Sequence, residues 1–240
     1  MPISWPELAG VPGLVSFVLP ARDEAGTIDR ALESVAGQRA AGPVEAVVAE
    51  NGSGDATAER VRAFAARTAL PVHLVQDPEP GVARARNRGA RVARGEVLVF
   101  LDADSRAAPD LAAAVLARAR SGSPAGCVRL VADGDDVLDR AFFELIEFGK
   151  RLFDVRANMF YCSRRLFFSA GGMREDLRLG EDVEFLERLR DIGVPVAYLG
   201  ESWIATSPRR LHSGPFRLGA ARMLVRWTLA HRGVGRRWTY

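Results

Sequence analysis

A chain of 240 residues, 48% of them hydrophobic, is long enough to bury one sizeable core, and a single α/β domain is the starting expectation. Its 33 Lys and Arg against 30 Asp and Glu leave a formal charge of only +3, a field that does not point to a nucleic-acid partner. Two cysteines, Cys127 and Cys162, without CxxC spacing, exclude a disulfide-stapled scaffold and fit a reducing, cytoplasmic setting.

In chain order, residues 14–19 form a short apolar run, 26–38 a helix-like stretch and 44–49 another apolar run. A helix over 55–67, a strand over 72–75, a helix over 82–93 and a strand over 97–101 continue the alternation. This is βαβ grammar, and the apolar runs are continuous, as strands covered by helices on both faces require. A mostly parallel central sheet flanked by helices is therefore expected. Beyond Asp104 the order is less regular, with a helix over 109–120, a strand over 126–132, an aromatic-rich helix over 137–153 and a helix over 182–191. The reading is one domain over 1–240, with a first half at about 14–121, a second half at about 125–205 and a basic tail over 206–240.

That tail has no Asp or Glu from Arg209 to Arg237, and Phe216, Ala220, Met223, Leu224 and Trp227 share a helical face opposite Arg217, Arg222 and Arg226. Packing on the core and peripheral contact with the inner face of a membrane both satisfy such a face. No window reaches the roughly 18 uninterrupted apolar residues of a spanning helix, and the N-terminus carries no signal-peptide pattern.

The strongest chemical feature is the run from Val97 to Leu101, which delivers Asp102-Ala103-Asp104 at its end. Ligands of open α/β sheets bind at the carboxyl ends of strands. Alternation along an extended segment points the two carboxylates the same way, and paired hard oxygens suit Mg²⁺ or Mn²⁺ bridging a substrate diphosphate. On motif grounds alone, a strand ending in a polar turn with Asp104 capping the next helix explains the residues equally well.

Four further stations stand in order around this pair. Val18-Leu19-Pro20-Ala21-Arg22-Asp23-Glu24 ends the first strand. Val47 through Thr57 comes next, with Glu50-Asn51-Gly52-Ser53-Gly54-Asp55-Ala56-Thr57 after the second strand, and Ala85-Arg86-Asn87-Arg88-Gly89 with Gly95-Glu96 lies before the Asp pair. Downstream come Gly171-Gly172-Met173 and Gly180-Glu181-Asp182. The ordered set, over about residues 14–200, resembles the family 2 glycosyltransferases, inverting enzymes of GT-A fold that take nucleotide-sugar donors.

The resemblance implies that Pro20, Ala21 and Glu24 line the base and ribose pocket, that Glu50 stands where a uracil-binding Asp is usual, and that Arg86 and Asn87 approach the diphosphate. Asp102 and Ala103 then belong to the donor site and Asp104 to the metal. Asp182 becomes the general base that deprotonates a hydroxyl acceptor. His212, in the basic loop 206–212, is a candidate further metal ligand, as a late His is in some GT-A enzymes. A UDP-sugar ranks first, with GDP- and TDP-sugars open because Glu50 is one methylene longer than Asp. Turn formation and helix capping account for Asp23, Glu24, Asp55 and Glu181 as well.

Phe142, Phe143, Phe148, Phe153 and Phe160 offer an apolar wall for the acceptor, a small molecule or a lipid-linked one, although core packing explains them equally. Transfer of a single sugar is expected, since the Gln/Arg-x-x-Arg-Trp pattern of processive synthases is missing. The rival readings are a sugar-phosphate nucleotidyltransferase, which wants a glycine-rich basic loop after the first strand, and a catalytically silent module retaining the nucleotide pocket. No Gly-x-Gly-x-x-Gly follows a strand, which argues against a dinucleotide-binding dehydrogenase.

Overall fold

The computed structural model describes residues 10–39, 42–154, 158–177 and 179–212. The amphipathic stretch proposed for the tail, from Phe216 to Trp227, lies outside the described residues. The first half alternates β1 (Val11–Ala21), α1 (Ile28–Ala36), β2 (Val44–Glu50), α2 (Thr57–Ala65), β3 (Val72–Gln76), α3 (Val82–Val92) and β4 (Gly95–Phe100). The second half runs β5 (Ser105–Ala107), α4 (Leu111–Arg120), β6 (Ala125–Ala132), α5 (Val137–Leu152), β7 (Phe160–Ser163), α6 (Arg164–Ser169), α7 (Glu181–Asp191) and β8 (Val196–Thr206), then a short 3₁₀ turn, Pro208–Arg210.

One eight-stranded sheet in the order β3-β2-β1-β4-β7-β6-β8-β5 carries the whole arrangement. The four first-half strands are parallel, as their sequence patterns predict. The second half mixes directions: β7 runs antiparallel to β4 and β6, β8 parallel to β6, and β5 antiparallel to β8.

Alternation within each central strand feeds two cores. Phe17 and Leu19 of β1 and Val97 and Val99 of β4 pack on one side with α1, α2 and α4. Val18, Leu98 and Phe100 face the other side, toward α3, α6 and α7. There Phe100 stacks on Phe160 at 4.5 Å between ring centroids, and Phe167 and Phe185 complete the cluster. Helix α3 lies close on the sheet because Gly89 has no side chain: a Cβ there would stand 2.5 Å from Val18 Cγ1. That closeness places Arg86 and Asn87 within reach of the strand ends.

The five phenylalanines expected to line an acceptor wall divide. Phe160 and Phe143 belong to the cores and Phe142 packs half-buried against one of them, because β7 and the inner face of α5 must cover the sheet, whereas Phe148 and Phe153 are 56% and 74% exposed. Helix α5 is fixed to the sheet by a buried polar link in which Lys150, the chain's one lysine, pairs with Glu147 at 2.8 Å and the Tyr198 hydroxyl donates to Glu147 Oε2 at 2.8 Å. Both cysteines are buried, and neither is in a disulfide. Among the described residues, no helix is long and apolar enough to cross a membrane.

Candidate functional site

The carboxyl ends of β1, β2 and β4 open on one edge of the sheet, and the candidate residues gather there. β1 continues one residue past Pro20, opposite β2, with Ala21 in register with Glu50. Proline is tolerated because pairing with β4 has already ended at Val18 and Phe100. The Ala21 methyl is buried in the core, and its carbonyl accepts the Asn51 N–H at 3.0 Å, so the side chain expected at the donor instead anchors the strand end.

Two loops expected at the base pocket are stitched together. Asp23 adopts a left-handed φ of 55°, and its Oδ1 accepts the Gly54 N–H at 2.7 Å. The Glu24 N–H donates to Thr57 Oγ1 at 2.8 Å and the Ala25 N–H to Asp55 Oδ2 at 3.0 Å. Glu50 is 6% exposed at the end of β2, and its carboxylate accepts the Ser53 N–H at 2.5 Å and the Gln76 amide at 3.2 Å. Burial pushes its pKa up, but the hydrogen bonds from Ser53, Gln76 and Gly52 together outweigh it and hold the carboxyl below its ordinary range.

Asp102, Ala103 and Asp104 form the turn between β4 and β5, so no helix follows for Asp104 to cap. The Ala103 methyl is buried in the core, which pins the turn from beneath, and its two neighbours each pair with an arginine. Asp102 is partly exposed and receives Arg86 Nη2 at 2.9 Å. Asp104 is buried and pairs with Arg209 Nη2 at 3.1 Å.

Arg86 connects these carboxylates to the second half of the chain. Its other nitrogen, Nη1, donates to Glu181 Oε1 at 2.7 Å at the start of α7, while Nε lies buried without a hydrogen-bond partner. Burial disfavours its charge, yet the nearby Asp102, Glu181 and Asp182 more than compensate and raise its pKa above the ordinary range. Glu181 responds in the opposite way to most paired acids. Desolvation pushes its pKa up, against the pull of Arg86. Asp182 is next along the same helix, after Gly180 in the left-handed region, and its carboxylate accepts the Asn158 N–H.

Two of the expected residues do different work. The Asn87 amide is consumed on the glycine turn: Nδ2 donates to the Met173 carbonyl and to Glu175 at 2.9 Å each, and Oδ1 accepts the Met173 N–H at 2.9 Å. It holds the turn that leads into α7 and does not present its amide to a donor. His212 Nε2 lies 2.9 Å from the Asp139 carboxylate in the first turn of α5, and this pairing directs the imidazole to α5.

Arg209 is the site residue that sequence reasoning missed. Its guanidinium holds Glu24 through both terminal nitrogens, Nη1 at 2.9 Å from Oε2, as well as Asp104. The signal available was its place in the acid-free basic stretch after β8. Among the described residues, no group of three or more His, Cys, Asp and Glu side chains is arranged to hold a metal by itself. The Asp102 and Asp104 oxygens nevertheless fit a hard divalent cation in kind, and a protein cation already lies against Asp104.

Known proteins share both the sequence pattern and the fold. The family described as "Glycosyl transferase family 2" matches residues 16–174, which include the Asp102 and Asp104 turn and Arg86 and stop short of Asp182. Validoxylamine A glucosyltransferases of two Streptomyces hygroscopicus subspecies, jinggangensis and limoneus, are 31% and 30% identical over 81% of this chain. The matches cover 56% and 52% of those proteins, so this chain spans about half the length of the curated relatives.

Among solved structures, the mannosyltransferase PcManGT from Pyrobaculum calidifontis, in complex with GDP-Man and Mn²⁺, superposes with a TM-score of 0.67 at 24% identity, covering 92% of this chain and 64% of its own. TarS 1-349 from S. aureus in complex with UDP gives 0.63 at 17% identity, covering 92% and 72%. These likenesses establish the GT-A fold, a mixed α/β domain with one central sheet. With the matched span covering well over half of its residues, the chain belongs to glycosyl transferase family 2.

Proposed function

We propose that this chain transfers one sugar, with inversion, from a nucleoside-diphosphate sugar to a hydroxyl acceptor. A UDP-sugar is the favoured donor. The observation that carries the reading is the Arg86 bridge, which ties the Asp102 carboxylate of the β4 turn to Glu181 beside Asp182. It joins the donor edge of the sheet to the helix that carries the base. The family membership and the named activities of the Streptomyces relatives, both glucosyltransferases, support the same class of reaction.

In this mechanism the stitched loops at Glu24 and Glu50 receive the nucleoside. Asp182, in the first turn of α7, takes the proton of the acceptor hydroxyl. The acceptor oxygen forms its bond to the anomeric carbon from the face opposite the donor oxygen, whose bond breaks with its electron pair leaving on the diphosphate. Arg86 keeps Glu181 and Asp102 from repelling that anion and holds α7 at a fixed distance from the β4 turn. Asp104 and Asp102 would hold Mg²⁺ or Mn²⁺, and such a cation would supply positive charge for the departing diphosphate.

The test is isothermal titration of UDP, GDP and TDP into the purified protein with Mn²⁺ and then with EDTA, repeated on Asp104→Asn. The expected result is binding of one nucleotide that needs the metal and is lost in the variant. Binding of that nucleotide with equal affinity in EDTA would refute the metal-assisted reading, and binding of none would refute the donor site.

A further inference from the structure

Arg209 and Arg86 both contact carboxylates of the Asp102 and Asp104 turn, but they are built differently. Arg86 is buried inside the fold. Arg209 has a side chain 43% exposed and stands on the 3₁₀ turn after β8, where it closes a span between the β1 loop and the β4 turn. Its backbone is held firmly. Ser105 pairs with Thr206 across β5 and β8, Ser105 Oγ lies 2.9 Å from Thr206 Oγ1, and the Ser207 N–H donates to the Asp104 carbonyl at 3.3 Å. The guanidinium is thus a charged group on a long stem, rooted beside Asp104.

The Glu24 and Asp104 side chains are 11% and 8% exposed, and both lean on this one cation. Two carboxylates so shielded from water need a positive charge nearby. A guanidinium has a rigid fork of donors: Glu24 takes one edge, and a remaining N–H reaches Asp104.

We infer that Arg209 competes with the divalent cation for Asp104 and, when the cation takes that carboxylate, turns its freed N–H to a phosphate oxygen of the donor while Glu24 keeps hold of the other edge. This rests on the donor-site reading above and adds a second role, in which one residue guards the metal site and then contacts the diphosphate. Once both cation and donor are bound, the guanidinium would again face an anion, a phosphate oxygen in place of the Asp104 carboxylate.

The experiment uses the full chain and two variants, Arg209→Met, which keeps the stem and removes the charge, and Arg209→Lys, which keeps the charge without the fork. Mn²⁺ alone is titrated first, by calorimetry and by the loss of its free-ion electron paramagnetic resonance signal. The nucleoside diphosphate that the wild type binds is then titrated at saturating Mn²⁺.

Removing the competing ion pair should tighten Mn²⁺ binding in Arg209→Met by roughly three- to tenfold, while losing the phosphate contact should weaken the nucleotide by roughly tenfold. Arg209→Lys should fall between wild type and Arg209→Met in both. Unchanged or weaker Mn²⁺ binding in Arg209→Met, or two shifts of the same sign, overturns the inference while the wild type's nucleotide binding still supports the donor site. If the wild type binds no nucleotide with Mn²⁺, the donor-site reading falls and this inference falls with it. Circular dichroism spectra matching the wild type certify that each variant is folded before its shifts are counted.

Discussion

Replacing Arg86 by Met isolates the electrostatic tie at the centre of the site. The side chains are of similar length, so the main loss is the charge that faces Glu181 at 2.7 Å and Asp102 at 2.9 Å. With charge centres about 4 Å apart and an effective dielectric of about 20, one such pair amounts to about 4 kcal/mol. The Asp102 arm is discounted, since that side chain is 37% exposed and solvent screens it. The Glu181 arm, 9% exposed, is not. Removing one partner of a buried pair strands the other, and the expected loss of stability at pH 8 is about 3 to 5 kcal/mol.

The pH dependence gives the sharper check. Burial already raises the Glu181 pKa in the folded state, and deleting Arg86 removes the strongest influence that lowers it. A carboxyl whose folded pKa is raised favours the fold while protonated and loses that contribution as pH climbs through the folded value. The deficit of Arg86→Met relative to wild type should therefore widen from mildly acidic pH upward and narrow as pH falls toward 4.5, the ordinary value for Glu. Urea unfolding of both proteins at several pH values between 5 and 8 measures it. A deficit below about 1 kcal/mol at pH 8, or one that does not change with pH, would refute the argument that Arg86 holds a buried Glu181 charge.

Asp182→Asn should lower kcat by roughly 10² to 10⁴ while leaving metal-dependent nucleotide affinity near wild type, because the amide keeps an oxygen to accept the Asn158 N–H but cannot take a proton. Steady-state kinetics beside calorimetry separates the two, and unchanged turnover removes Asp182 from the role of base. Gly172→Ala places a Cβ 2.8 Å from Asn87 Oδ1 on a backbone with φ +70°, and a loss of about 1 to 3 kcal/mol with weakened nucleotide binding is expected. A thermal midpoint equal to wild type would show that the turn tolerates it.

The first half of the fold was legible because parallel strands buried on both faces read as continuous apolar runs, and β1, β2, β3 and β4 fall on those runs within a few residues. In the second half β6 falls on the run expected at 126–132, but β5 and β8 did not show in the pattern. β5 is three residues long with polar Ser105 and Arg106. β8 is broken in sequence by Gly200 and Glu201, where its register on β6 shifts between Leu199 and Trp203. In the site, Arg86 pairs with Asp102 of the β4 turn, while Asp104 pairs with Arg209 from the far end of the chain. Ala21, Ala103 and Asn87 sit in the right motifs but turn to the core or to the Met173 turn, because which way a side chain faces depends on contacts many residues away. For the same reason, nothing local in the sequence pairs His212 with Asp139 or Arg209 with Glu24.

The Arg86 to Glu181 tie spans 95 residues, the Asn87 to Met173 tie 86, and the Arg209 to Glu24 tie 185. Each closes a long loop, so each is gained only after much chain entropy has been lost, and contacts of such separation form late in folding. On a ribosome, β1 to β4 can assemble while Arg86 still waits for α7 to emerge. The carboxylate edge is thus among the last parts of the molecule to become itself, and a proteolytic cut in the loop between α4 and β6 would dismantle it even if both fragments kept their secondary structure.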